Sequence, residues 1–153
     1  MNVTDNLKQV LAELPSGVRL VAVSKFHPNE AIEEAYRAGQ RIFGESKVQE
    51  MTGKYESLPK DIEWHFIGHL QTNKIKYMAP YVSMIHGIDS YKLLAEVNKQ
   101  AIKAERVIRC LLQIHPLKFP PKSTITLCPS FKGVLFSPPG KAGSNPSPPK
   151  AKS

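Results

Sequence analysis

The chain has 153 residues and a formal net charge of +8, from 21 Lys+Arg against 13 Asp+Glu. That length holds one domain with a real core, no apolar run is long enough to span a bilayer, and Met1-Asn2-Val3-Thr4-Asp5 lacks the basic and apolar stretches of a signal peptide. The two cysteines, Cys110 and Cys128, match no metal spacing and no disulfide framework, which points to a reducing compartment and to a soluble cytoplasmic protein with no membrane partner.

Taken in chain order, Val3, Leu7, Val10, Leu11 and Leu14 recur at helical spacing, and Pro15-Ser16-Gly17 stops that helix. Arg19 to Ser24 reads as a strand. Pro28 opens the next helix, where a missing N–H is tolerated, and Gly39 closes it. Arg41-Ile42-Phe43 is a short strand, followed by a helix from Glu45 to about Leu58 with Gly53 as its weak point. Ile62 to Ile67 is a strand, and Gln71 to Ala79 a helix stopped by Pro80. Tyr81 to His86 is the next strand. Asp89-Ser90 then caps a helix over Tyr91 to about Glu105, with Leu93, Leu94, Val97 and Ile102 on its apolar side. Arg106 to Ile114 is the fifth strand.

Strands alternating with helical crossovers predict an α/β fold with about five parallel strands, rich in the apolar residues that strands buried on both faces carry. In such folds chemistry gathers at the C-terminal ends of strands. Lys25, Gly44-Glu45-Ser46, Gly68-His69 and Gly87-Ile88-Asp89 all fall there. The alternation then breaks. Residues 1–115 hold 15 Lys+Arg and 13 Asp+Glu, whereas 116–153 hold six lysines, no acid and nine of the thirteen prolines. That composition reads as a disordered tail. Within it, Ile125 to Leu127 and Val134 to Phe136 are too short and too close to proline to be read as strands.

Val21-Ala22-Val23-Ser24-Lys25 is the segment richest in chemical meaning. An amine at the end of a buried strand loses water, which disfavours its charged form. A neutral amine attacks aldehydes and forms a Schiff base, the linkage that holds pyridoxal phosphate (PLP). The competing reading is a lysine at a strand mouth whose head reaches solvent.

Four segments carry a resemblance: Val21-Ala22-Val23-Ser24-Lys25, Phe43-Gly44-Glu45-Ser46-Lys47-Val48-Gln49-Glu50, Trp64-His65-Phe66-Ile67-Gly68-His69-Leu70-Gln71-Thr72-Asn73-Lys74, and Ile85-His86-Gly87-Ile88-Asp89-Ser90. In order and spacing they resemble the successive motifs of the PLP homeostasis protein family, small proteins similar to the barrel domain of alanine racemase. The resemblance covers about residues 1–115. It implies the N-terminal part of a PLP-binding, TIM-like (β/α) barrel, with Lys25 as the Schiff-base lysine and Ser46 and His69 as further cofactor contacts. It also implies a protein without defined catalytic turnover that buffers PLP or delivers it to PLP-dependent apoenzymes. Many members carry asparagine where this chain has Ser46. Serine keeps a donor and an acceptor but reaches less far.

The family chain continues through further βα units to a Ser/Thr- and Gly-rich phosphate-binding segment. Residues 116–153 contain nothing like it, so the expected division is 1–115 as partial barrel and 116–153 as non-family, disordered tail. Two alternatives stand beside PLP binding. One is a truncated or frameshifted family member with weak or no PLP binding and an open parallel edge, poorly stable as a monomer. The other is a basic-tailed interaction module that uses the α/β part as scaffold, its tail binding polyanions without specificity.

The remaining residues have plainer readings. His65 and His69 are either cofactor contacts or one hydrogen-bonded inward histidine and one loop histidine. Their spacing would suit a metal only on a helix, and a strand end and Gly68 intervene. Glu45 and Glu50 with Lys47 read as an acidic first turn on a solvated helix face. Trp64 reads as core. Lys74 and Lys76 beside Tyr77 make too weak a patch for specific nucleic-acid binding.

Overall fold

Strand and helix alternate through the described part of the computed structural model, which covers residues 2–113 and the short segments 125–126 and 135–136. Helix α1 (Val3–Glu13) begins at the Asn2 cap, whose side chain accepts the Asp5 N–H. Strand β1 (Ala22–Val23) leads to α2 (Asn29–Arg37), β2 (Ile42–Glu45), α3 (Val48–Ser57) and β3 (Glu63–Phe66). A 3₁₀ turn (Thr72–Lys74) runs into α4 (Ile75–Met78), followed by β4 (Met84–Ile88), α5 (Tyr91–Lys103) and β5 (Arg109–Leu112). The five strands form one sheet in the order β1-β2-β3-β4-β5, parallel at every pairing. This is the parallel α/β arrangement that the alternation predicts, and it accords with the partial (β/α) barrel that the resemblance implies. Two further strands, β6 (Ile125–Thr126) and β7 (Leu135–Phe136), pair antiparallel, which the proline spacing alone does not predict. At these four residues the expected disordered tail is corrected; the rest of 116–153, the strand end at Ile114, and Cys128 lie outside the described residues.

Strand alternation sorts the sheet into two faces. Phe43, Trp64, Phe66 and Ile85 join the helices' core, with Ile32, Met51, Ile75, Met78, Leu93, Leu94 and Val97. Ile42, Gly44, Glu63, His65, Met84, His86 and Arg109 fall on the opposite face. There Glu63 bridges Arg19 and Arg109 across the sheet, at 2.5 and 3.2 Å. Burial pushes the Glu63 carboxyl up, but the two guanidinium groups outweigh it and hold its pKa below the usual range.

Several element boundaries differ from the sequence reading, each for a physical reason. The third helix starts at Val48 and not at Glu45, because Glu45 completes the ladder of β2 against Phe66. The fourth strand starts at Met84; Tyr81 and Val82 are spent on a turn whose N–H groups bond back to Met78. The fifth strand is confined to Arg109–Leu112, and the first to Ala22–Val23. The helix expected over Gln71–Ala79 is a 3₁₀ turn with one α turn added. Ile102, expected on the apolar side of α5, is exposed, and Ala101 takes the buried position. Ser90 caps α5 as expected, accepting the Leu93 N–H. Gly17 and Gly39 end their segments with φ of 85° and 104°. Cys110 on β5 is half-buried, and burial pushes its thiol up to about 11.

Candidate functional site

Because all five strands are parallel, their C-terminal ends form one rim. Lys25 lies in the turn directly after β1, Ser46 directly after β2, and Gly68-His69 just past β3. The three residues singled out by the sequence therefore lie beyond three adjacent strands of one sheet. Lys25 and His69 are exposed, and Ser46 is half-buried. The desolvated amine expected at Lys25 is not found: among the described residues β1 is an outer strand of the sheet, and the side chain of Lys25 is exposed.

Backbone packing brings the strand ends together. A Cβ on Gly68 would sit 2.2 Å from the Ser46 carbonyl oxygen. Only a hydrogen at that position lets the turn after β3 lie against the turn after β2. A Cβ on Gly87 would in turn come 3.4 Å from the Gly68 oxygen. The turns after β2 and β3 are thus joined by close backbone approach, whereas the contact at Gly87 is an ordinary one.

Below the rim lies a polar cluster that the sequence reading missed. Glu45 is fully buried, and Lys54 is 6% exposed. The Lys54 ammonium donates to Glu45 Oε1 and Glu50 Oε1, both at 2.7 Å, and to the Ser24 carbonyl at 2.8 Å. Ser24 Oγ donates to Glu45 Oε1 at 2.6 Å, and the Phe26 N–H donates to Glu50 Oε1 at 2.8 Å. The Lys54 hydrogen bond holds the Glu50 carboxyl below the usual carboxylate range against partial burial, and the Phe26 N–H adds to it. The solvated face expected for Glu45 and Glu50 is therefore replaced by an ion network. Its legible signal was the Glu50-to-Lys54 spacing of one helical turn, which puts an acid and a base on one face. Removing one partner of such a buried pair costs ~3–5 kcal/mol, because a charge is left unpaired.

On the opposite face of the sheet His65 Nδ1 lies 3.0 Å from His86 Nε2. Burial lowers the His65 pKa to about 4, with His86, Arg109 and Arg19 also opposing its charge and Glu63 favouring it. Burial lowers His86 as well. His65 Nε2 is buried without a partner. His65 is thus the hydrogen-bonded inward histidine and His69 the loop histidine. Among the described residues no group of three or more His, Cys, Asp or Glu is placed to hold a metal ion. Among them, too, no helix is long and apolar enough to cross a membrane.

The donor set can be tested against PLP. A solvent-reaching amine, a hydroxyl and an imidazole beyond adjacent strands suit an aldehyde and a polar aromatic ring. A glycine-rich helix N-terminus that would cradle a phosphate is not found among the described residues at this rim.

Comparison with known proteins gives a consistent result. The family described as alanine racemase, N-terminal domain, matches residues 1–115. A pyridoxal phosphate homeostasis protein of Aquifex aeolicus is 38% identical, over 75% of this chain and 55% of its own length. The human protein of the same name is 36% identical, over 86% of this chain and 58% of its own. The structure of PipY from Synechococcus elongatus with PLP bound superposes with a TM-score of 0.71 at 39% identity, covering 76% of this chain and 56% of that one. The chain spans about half the length of the curated relatives it matches.

Proposed function

Since the chain belongs to the alanine racemase N-terminal domain family, we propose that it binds pyridoxal 5′-phosphate at the rim of its parallel sheet, with Lys25 as the attachment point. Its role would be intracellular PLP homeostasis, holding and releasing the cofactor without turnover of its own. PLP-dependent apoenzymes would be the recipients, and the cytoplasm the place of exchange. The observation that carries this reading is the placement of Lys25 beyond the C-terminal end of a strand, on one rim with Ser46 and His69, in a turn tied down by buried groups beneath it. A PLP homeostasis relative and a PLP-bound structural neighbour support it.

When bound, PLP supplies an aldehyde that condenses with a lysine amine and loses water. The chain's own residues provide the rest. Lys25 offers the amine. Ser46 would offer the cofactor a hydroxyl that donates or accepts. His69 offers an imidazole from the next loop. Gly68 lets the turns after β2 and β3 close up.

Mixing the full chain with PLP, reducing with borohydride and mapping the adduct by peptide mass tests the proposal. The expected result is one stoichiometric adduct on Lys25 at low PLP, absent from Lys25→Ala. Scattered substoichiometric labelling over many lysines would overturn it.

A further inference from the structure

Phe26, directly after Lys25, has a φ of 65°. That left-handed backbone is sparsely populated by residues with a Cβ, and it persists only where the surroundings impose it. The ring is 70% exposed and meets the Lys47 ammonium, 5.1 Å from its centroid. The His27 N–H closes the turn on the Ser24 carbonyl at 3.0 Å, and two side chains grip the turn in addition. The Phe26 N–H donates to Glu50, and the Ser24 carbonyl accepts from Lys54. Lys25 is therefore gripped through both of its neighbours, and one ammonium joins the two grips, because Lys54 also donates to Glu50 and Glu45. With three acceptors the Lys54 ammonium uses its full donor capacity. A buried ion network adds little stability over well-packed apolar residues, so its connection to this backbone is the more informative fact.

We propose that Glu50 and Lys54 are positioning residues for Lys25: they impose the strained turn that aims its amine over the rim, a role that rests on the PLP reading above. Glu45 anchors the pair from within, accepting from Lys54 and Ser24 Oγ while its second oxygen has no partner. The arrangement orients the lysine without touching its side chain, which leaves the amine free to react.

Glu50 is the residue to change first, because it is less buried than Glu45 or Lys54. Glu50→Ala removes the acceptor for the Phe26 N–H, and Glu50→Gln retains one. Val97→Ala, on the buried side of α5, serves as a destabilised control. Two quantities are measured on the full chain: amide exchange at Phe26 by NMR, and the PLP concentration that half-saturates borohydride-fixed labelling of Lys25. In Glu50→Ala the Phe26 amide is expected to exchange about tenfold faster or more, as loss of a hydrogen bond to a charged group implies. Half-saturation should rise by about the same factor. Glu50→Gln should restore most of both. The proposal is overturned if Glu50→Ala changes neither quantity, or if Val97→Ala changes both as much. If the parent chain forms no Lys25 adduct while Glu50→Ala alone frees the Phe26 amide, the positioning contact stands and the cofactor reading fails.

Discussion

Two histidines four positions apart have opposite fates, and the strand between them decides which. His65 sits on β3 and turns into the face shared with His86, Glu63, Arg19 and Arg109, whereas His69 lies past Gly68 in solvent. Stability should follow the first of them. His65 stays neutral when folded down to about pH 4, while the unfolded chain takes up the proton near the ordinary value of 6.5. The unfolded state therefore binds more protons between those limits, and stability falls as pH drops from 6.5 towards 4. Above 6.5 this group contributes no slope. Thermal melts across that range should show the decline, and His65→Gln should flatten it; an unchanged slope in His65→Gln would assign the decline to other groups. At this scale the sequence was legible where a motif placed a residue beyond a strand, as with Lys25, Ser46 and His69. It was misleading where burial reversed the meaning of a charge. Glu45 looks like a helix-start acid, yet it belongs to the last strand position, where only a partner such as Lys54 makes it tolerable.

The elements themselves were legible from alternation, because apolar strands and amphipathic helices repeat with different periods. Their ends were not. Tyr81 and Val82 are as β-prone as any strand residue, but the chain must first turn after Pro80, so β4 begins at Met84. What aligns the ends is a close approach that no propensity reveals. Gly68 faces the Ser46 backbone at a distance no side chain could occupy. Gly68→Ala should therefore push the turns after β2 and β3 apart, costing about 1–3 kcal/mol as overpacking does. Denaturant titration checks the stability, and adduct mapping checks the rim, where labelling of Lys25 should weaken alongside. Gly53 gives the contrast. It lies within α3 and has nothing within 4 Å of its missing Cβ, so alanine should be tolerated there. A Gly68→Ala chain as stable as Gly53→Ala would show that the rim does not depend on that contact.

In the whole molecule, the sheet has two outer strands among the described residues, β1 and β5. Both leave apolar side chains in reach of water: Val23 at 51% and Leu111 at 48% exposure, with Val10 and Leu11 on α1 also exposed. Strand edges with unpaired N–H and C=O groups invite further pairing. Sedimentation velocity should accordingly show association that grows with protein concentration. A single monomeric species at every concentration, with a sharp cooperative melt, would rule that out. The parallel direction of the five strands followed from the helical crossovers. The pairing of Ile125–Thr126 with Leu135–Phe136 had no such warning, since two residues are too few to show a period. Trp64 turns all of this into something that can be watched. It is the one tryptophan of the chain, fully buried on the middle strand beside Phe43, with its indole N–H facing no partner. Its light comes from a single dry place at the centre of the sheet, so a blue-shifted emission maximum means that β3 is seated. A shift to the red announces its release, and one fluorescence trace reports on the strand that leads to Gly68 and His69.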